Sequence, residues 1–292
     1  MGILRPFKRL LPKRLRKSYQ VVSIVRMEGV IASGRASLRS SNINLSNLDA
    51  PLKRAFNMPD ICAVALAINS PGGSPVQSSL IAKRVRSLAD EKGVPVFAFA
   101  EDVAASGGYW LACSADEIYA DPSSILGSIG VIFSGFGFHN LIEKYGIERR
   151  VYSAGENKGA LDPFQAEKAE DIDRLKSVQK IIHDSFKELV RSRRADKIKE
   201  SDEVLFSGEF WTGAQAKELG LIDGIGDLNS IMRERFGNNV KFKEIPLRKS
   251  WLKDRFGIGS VANLKGYNNH DTIIDCAIQT IEERLIWSRF GL

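Results

Sequence analysis

Two continuous apolar runs, residues 61–69 and 94–100, constrain the fold of this chain more than any other feature. Each run has the length of a strand and no polar alternation, which is typical of strands covered on both faces in a parallel sheet. A Ser-Pro-Gly-Gly-Ser-Pro turn and an amphipathic stretch, residues 76–92, follow the first run, and a Ser-Gly-Gly turn and an apolar stretch, residues 107–113, follow the second. This order of strand, glycine turn and helix predicts βαβ units and therefore an α/β fold.

The remaining patterns predict further strands and helices around this centre. Strands are expected at residues 20–26, 117–120, 147–152 and 241–245, with a hairpin-like turn at 30–32 and a small-residue strand or ledge at 126–132. Helices are expected at residues 46–56, 137–145, 212–219, 227–236 and 272–287, and residues 165–194 are expected to form one long helix or two in sequence. A chain of 292 residues with 43% hydrophobic content is large enough to bury a full core.

The net charge of +7 is concentrated in an N-terminal arm, residues 1–19. The arm carries seven Lys and Arg residues, and in the rest of the chain acidic and basic residues balance. A basic body that would bind nucleic acid along its length is therefore not supported. The arm interleaves cations with apolar residues and has no apolar run long enough for a membrane span, so we expect peripheral contact with an anionic membrane surface. A solubilising tail and a transit peptide are the alternatives.

The three cysteines, Cys62, Cys113 and Cys276, are widely spaced and have apolar neighbours. Their spacing matches no metal site, and an odd count argues against a disulfide framework. We therefore expect reduced core cysteines, a cytoplasmic protein, and neither a metal nor a cofactor.

Ser106 is the candidate nucleophile. It stands between the second apolar run and the short apolar stretch, and Gly107 and Gly108 follow it directly. Glycine lets a backbone or a ligand approach closely, and the first N–H groups of a helix face whatever negative charge forms beside them. The same Ala-Ala-Ser-Gly-Gly segment also suits a tight packing turn, and this stretch alone leaves both interpretations open.

A serine nucleophile needs a base, and the chain has three histidines, His139, His183 and His270. None has the small-residue surroundings of a triad base, so each is better read as a surface or packing residue. Lys158 lies in a glycine-containing loop after a predicted strand. Desolvation would lower the pKa of a lysine toward neutrality, which makes Lys158 the candidate base, although most loop lysines are solvated.

The oxyanion of an acyl-transfer reaction needs two N–H donors. The amide of Gly107, next to Ser106, is one candidate. The amide of Gly73, in the turn after the neighbouring strand, is the other, with Gly72 as the fallback, because parallel strands bring their carboxyl ends to one edge of the sheet. A simple type II turn at Ser-Pro-Gly-Gly is the alternative.

In these motifs the sequence resembles the signal peptide peptidase A and SohB-type serine proteases, a branch of the ClpP/crotonase superfamily. The motifs that carry the resemblance lie in order at residues 68–73, 104–109, 127–131, 153–163 and 212–223. The resemblance spans residues 20–245 and implies a Ser-Lys dyad. It implies that Lys158 takes the proton from Ser106, that Ser128 orients the lysine, and that Gly73 and Gly107 bind the oxyanion.

The resemblance also implies the domain organisation: a ClpP/crotonase-like protease domain of repeated β-β-α units forming a superhelix over residues 20–245, and a C-terminal helical extension, residues 246–292. Members with one copy of the motifs form octameric rings in which adjacent subunits share each active site, so we expect a homo-oligomer and an inactive monomer. The anchored members carry a transmembrane helix where this chain has its basic arm. The expected activity is hydrolysis of short or unfolded peptides, including signal-peptide remnants at the membrane. A crotonase-type acyl-CoA enzyme and a non-catalytic membrane scaffold are the alternatives.

Overall fold

The computed structural model describes residues 20–34, 42–247 and 284–291. The N-terminal arm, His270, Cys276 and the first twelve residues of the predicted C-terminal helix lie outside the described residues. The predicted domain boundaries after residues 19 and 245 stay a prediction.

The centre of the fold is an eight-stranded sheet in which the strand order is β6-β5-β3-β2-β1-β8; in addition, β4 pairs with β3, and β7 pairs with β4. The strands are β1 (Val21–Glu28), β2 (Ile61–Ser70), β3 (Val96–Ala105), β4 (Glu117–Ala120), β5 (Ile125–Gly127), β6 (Phe210–Thr212), β7 (Gly224–Ile225) and β8 (Lys241–Glu244). Every pairing is parallel except that of β5 with β6. The predicted α/β class is confirmed.

In the described ranges, eight helices connect these strands, and residues 284–288 are also helical. The helices are α1 (Leu45–Phe56), α2 (Pro75–Lys92), α3 (Gly107–Ala112), α4 (His139–Lys144), α5 (Ala169–Arg194), α6 (Asp202–Leu205), α7 (Gly213–Glu218) and α8 (Leu228–Phe236). Helices α1, α2 and α3 pack on one face of the sheet, where the larger core cluster lies. A smaller cluster with α8 covers the other face. This two-sided burial explains why β2 and β3 are apolar throughout most of their length.

Three sequence predictions were wrong. Residues 147–152 form no strand and are exposed, and within the described part of the chain no strand pairs with them. Residues 30–32 form no hairpin, since Ile31 makes isolated parallel bridges with Ile43 and Gly73. In the segment 126–132, only the beginning is a strand, because Ser128 has a φ of 50°, outside the extended region of strands.

Strand β3 is longer than predicted and continues through two acidic residues to Ala105. Each of them has a partner on another strand of the sheet. Glu101 accepts two hydrogen bonds of 2.6 Å from Arg26 on β1, and Asp102 accepts one of 2.8 Å from Asn69 on β2. Because both carboxylates are paired, β3 continues beyond residue 100, where the apolar run predicted the end of the strand.

Candidate active site

Ser106 occupies a sharp turn between β3 and α3. Its backbone has φ 52° and ψ −119°, a conformation that residues other than glycine rarely adopt and that costs on the order of 1–3 kcal/mol. Hydrogen bonds hold this turn, because the Ser106 N–H donates to the Gly127 carbonyl at 2.7 Å and the Ser106 carbonyl accepts from the Trp110 N–H at 3.0 Å. The side chain is partly exposed and lines a pocket. This strained exit from a strand is typical of an exposed nucleophile.

The turns after β2 and β3 are packed directly against each other, as the sequence predicted. A Cβ placed on Gly72 would lie 2.8 Å from both the Ser106 Cβ and the Gly107 nitrogen. A Cβ on Gly107 would lie 2.5 Å from the Ser78 Oγ and 3.3 Å from the Gly73 nitrogen. Glycine is therefore required here by the close approach of two backbones, which brings the Gly73 amide next to the turn that carries Ser106.

The N–H groups of Gly73 and Gly107 have no acceptor among the described residues. The Gly72 N–H, by contrast, donates to the Ser70 Oγ at 3.2 Å, so this fallback donor is already engaged. Gly73 is exposed and lines the same pocket as Ser106, whereas Gly107 is the first residue of α3. Two unengaged donors thus flank the candidate nucleophile, an arrangement that suits a developing oxyanion.

The pocket beside Ser106 has a volume of about 530 Å³ and three walls. The turn after β2 forms one wall, and residues 128–132 with 207–208 form another. The third wall comes from the C-terminal residues Ile286, Arg289 and Phe290. The Phe290 ring stands edge-on to Phe210 at 5.5 Å between centroids. The sequence predicts only a helix over residues 272–287 in this region, and nothing in its pattern indicates that the residues around it line the site.

Ser128 lines the pocket together with Ser106. It follows β5, and its N–H donates to the Glu209 carbonyl at 2.6 Å. Because the preceding residue, Gly127, accepts from the Ser106 N–H, the two serines are held on adjacent, hydrogen-bonded segments. We call residues 127–130 the Ser128 ledge.

Lys158 is not brought to Ser106 within one copy of the chain. It is exposed, it lies in an irregular loop, and it is not among the residues that line the Ser106 pocket. The neighbouring segment, residues 131–152, exposes a series of large apolar side chains. They are Ile132, Phe133, Phe136, Phe138, Leu141, Tyr145, Ile147, Val151 and Tyr152. Such a concentration of exposed apolar side chains is typical of a surface that another molecule covers.

Two of the three histidines lie within the described residues. His139 begins α4, away from the pocket lining. His183, on α5, is partly buried, and its Nε2 lies 3.0 Å from the carbonyl oxygen of Ile129 in the Ser128 ledge. Burial lowers the pKa of His183 below its ordinary value, and the Lys187 cation lowers it further. From the sequence, His183 is predicted to be a surface or packing residue. Its contact with Ile129 was not predicted, because no local sequence pattern indicates it.

The cysteines Cys62 and Cys113 are free. Burial raises the pKa of Cys113 to about 12, so its thiol stays protonated and is a poor nucleophile. Among the described residues no cluster of His, Cys, Asp and Glu has an arrangement that could hold a metal ion.

Comparison with known protein families gives a match between residues 89–237, about half of the chain, and "Peptidase family S49". This chain belongs to peptidase family S49. The matched range contains Ser106, Ser128 and Lys158, three of the residues singled out from the sequence. The resemblance to signal peptide peptidase A and SohB-type proteases is confirmed at the level of the family.

Relatives extend the similarity beyond this range. A protein of Enterococcus faecium named "Putative signal peptide peptidase SppA" is 32% identical over 72% of this chain and 62% of its own length. A protein of Brucella abortus (strain 2308) named "Na(+)/H(+) antiporter NhaA" is 48% identical over 98% of this chain but only 39% of its own length. The chain therefore spans less than two thirds of either relative.

A solved structure described as a "1510-N membrane-bound stomatin-specific protease" mutant matches 78% of the chain at 15% identity and a TM-score of 0.46, too distant to bear on activity. Among the residues that the structure describes, no helix is both long enough and apolar enough to cross a bilayer.

Proposed function

We propose that this chain is a serine peptidase in which Ser106 attacks the carbonyl carbon of a peptide bond. The observation that carries the proposal is the Ser106 turn itself, a strained non-glycine residue flanked by the unengaged N–H groups of Gly73 and Gly107 at the edge of a pocket. Membership of a peptidase family supports the same reaction class. Gly73 and Gly107 bind the oxyanion in this proposal, and a donor lost from such a pair typically costs about 100–1,000-fold in kcat.

The proposed base is Lys158, in a dyad with Ser106. The neutral Lys158 amine takes the proton from the Ser106 hydroxyl as the Oγ–carbon bond forms, and it gives that proton to the leaving amine as the peptide C–N bond breaks. Water then hydrolyses the acyl-enzyme, with the same amine as base. Ser128 orients the amine by a hydrogen bond. A lysine serves as base only when a desolvated setting lowers its pKa, so the dyad needs a setting drier than the exposed loop of one copy.

We propose that a neighbouring copy of the chain supplies this setting. Lys158 lies outside the Ser106 pocket of its own chain, and the segment 131–152 next to it exposes apolar side chains. Association of copies would cover these side chains and deliver Lys158 to the pocket of the adjacent subunit. The proposed assembly is a closed homo-oligomeric ring, which we take to be an octamer.

The proposed substrates are short or unfolded peptides, including signal-peptide remnants. Apolar residues of the pocket walls, Pro71, Pro75, Val131 and Ile132, suit apolar side chains of an extended peptide. In this proposal the protein is cytoplasmic, and its basic arm makes peripheral contact with the membrane.

Labelling with a fluorophosphonate probe, measured by intact mass, tests the proposal on the full chain. We expect the wild type to gain one adduct and the variants Ser106→Ala and Lys158→Ala to gain none. A wild type that stays unlabelled while folded and oligomeric would contradict the peptidase proposal. An acyl-CoA enzyme or a non-catalytic scaffold would then be the better interpretation.

A further inference from the structure

His183 is the one histidine of the described residues that contacts the segment carrying Ser128. The carbonyl of Ile129 can only accept a hydrogen bond, so the 3.0 Å contact places the imidazole hydrogen on Nε2. Ile129 is fully buried and directly follows Ser128 in the chain. The His183 side chain therefore holds the Ser128 ledge through its backbone.

The backbone of Phe206 acts on the same ring in the direction of a higher pKa, and the Lys187 ammonium of α5 lies 6.0 Å from the centre of the Phe206 ring. Phe206 directly precedes residues 207–208 of the pocket wall and Glu209, whose carbonyl accepts the N–H of Ser128. His183 thus contacts one of the two segments that the Ser128–Glu209 hydrogen bond joins, and its helix lies beside the residue that precedes the other.

This arrangement connects α5 to the nucleophile in two steps. His183 holds the Ile129 carbonyl, and the Gly127 carbonyl in the same ledge accepts the Ser106 N–H. A shift of the ledge would therefore move both the Ser128 hydroxyl and the Ser106 turn. Displacements of about 1 Å at such positions are enough to cost about a hundredfold in rate.

We propose that His183 is a positioning residue for the Ser-Lys reaction: its Nε2–H holds the Ser128 ledge so that the Ser128 hydroxyl meets the lysine amine. This inference rests on the proposed function. The charged groups that act on the ring are Asp184 and Lys187, both on α5, whereas the ledge and Phe206 present backbone to it. The burial that lowers the pKa of the imidazole keeps it neutral at pH 7, with one N–H to donate and no charge beside the ledge.

Two substitutions separate the hydrogen bond from simple packing. His183→Phe keeps a ring of similar size and removes the donor, whereas His183→Gln places an amide N–H near the position of Nε2. We expect His183→Phe to lower kcat about tenfold or more with little change in KM, and His183→Gln to restore most of this loss. Ser185→Ala, on the same helix, is the matched control and should keep wild-type kcat, because among the described residues the Ser185 hydroxyl bonds to the Ile181 carbonyl of its own helix and not to the ledge.

A double-mutant cycle shows whether His183 acts through Ser128. If it does, His183→Phe will have little further effect on kcat in a Ser128→Ala background. If the two substitutions lower kcat independently, so that their effects add as free energies, the proposal is overturned. A His183→Gln variant as impaired as His183→Phe would also overturn it.

Hydrogen exchange gives a readout that does not depend on activity. We expect the amides of residues 127–130 and 206–209 to exchange faster in His183→Phe than in the wild type, and at the wild-type rate in His183→Gln. Unchanged exchange in His183→Phe would overturn the positioning role. An unlabelled wild type with these exchange differences present would instead contradict the peptidase proposal alone.

Discussion

The backbone N–H of Ser106 donates a 2.7 Å hydrogen bond to the carbonyl of Gly127. This bond joins the turn after β3 to the ledge after β5, so the candidate nucleophile and Ser128 share one hydrogen-bonded frame. Hydrogen bonds of this kind help to hold the strained backbone of Ser106.

The strain at Ser106 predicts an unusual order of stabilities among inactive variants. Glycine adopts φ 52° and ψ −119° without the steric penalty that a Cβ brings. We therefore expect Ser106→Gly to unfold at a higher urea concentration than Ser106→Ala, by an equivalent of about 1 kcal/mol, although neither variant reacts with the probe. A Ser106→Gly variant less stable than Ser106→Ala would show that the turn is not strained.

The contact between the two glycine turns predicts that Gly107 does not tolerate a side chain. In Gly107→Ala the new Cβ would lie 2.5 Å from the Ser78 Oγ and 3.0 Å from the Ile31 Cδ1, so the turn must shift. We expect probe labelling of this variant to slow at least about tenfold, because the oxyanion donors move.

Gly93→Ala is the control for this substitution. Gly93 ends α2 with φ 62° and has no atom within 4 Å of its added Cβ, so alanine there costs only about 1 kcal/mol of backbone strain. It should lower the melting temperature and leave the labelling rate unchanged. Equal labelling rates in both variants would contradict the proposed oxyanion site.

Sharing of the site between copies predicts complementation of two inactive variants. Ser106→Ala keeps Lys158, and Lys158→Ala keeps Ser106, so an oligomer assembled from equal amounts of both contains some intact pairs. Random assembly restores up to about a quarter of the wild-type peptidase activity, because about one interface in four joins an intact serine to an intact lysine. The measurement is peptide hydrolysis after the mixed variants have been unfolded and reassembled together.

The control for complementation is each variant reassembled alone, which should stay inactive. Mixtures that remain inactive while forming oligomers of wild-type mass would contradict a base supplied by the neighbouring copy.

The buried pair of Arg194 and Asp223 predicts a loss of stability in acid. Burial alone would raise the pKa of Asp223, but hydrogen bonds from Lys197 and Arg194 outweigh it and hold this pKa below its ordinary value. The pair therefore stabilises the fold fully above the ordinary aspartate pKa of about 3.9, and this contribution falls as pH drops through the lower pKa of the folded state. Urea unfolding of the wild type at several pH values between about 5 and 2 measures this effect.

Asp223→Asn tests the same pair by substitution. Arg194 is only 2% exposed, so loss of its partner leaves a buried charge and should cost about 3–5 kcal/mol of unfolding free energy. Lys197→Ala removes the exposed partner of the same carboxylate and should cost less than about 1 kcal/mol. If the stability of Asp223→Asn falls with pH as steeply as that of the wild type, other groups cause the acid sensitivity.

The sequence by itself determined most of the helices and strands and the candidate nucleophile with its neighbouring glycine turns. The apolar runs became β2 and β3, the glycine turns after them came together, and Ser106 and Ser128 line one pocket. These features depend on residues close in the chain and on the shared edge of parallel strands, which periodicity and turn residues report directly.

Only the tertiary structure decided how distant segments meet at the site. The C-terminal residues Ile286 and Phe290 form a pocket wall, and His183 reaches the Ile129 carbonyl 54 positions away. The predicted strand at residues 147–152 had suitable β-branched and aromatic residues, but no strand of the described residues lies beside it to pair with. Such contacts depend on where the folded chain places each segment, and no pattern within a segment encodes its distant partner.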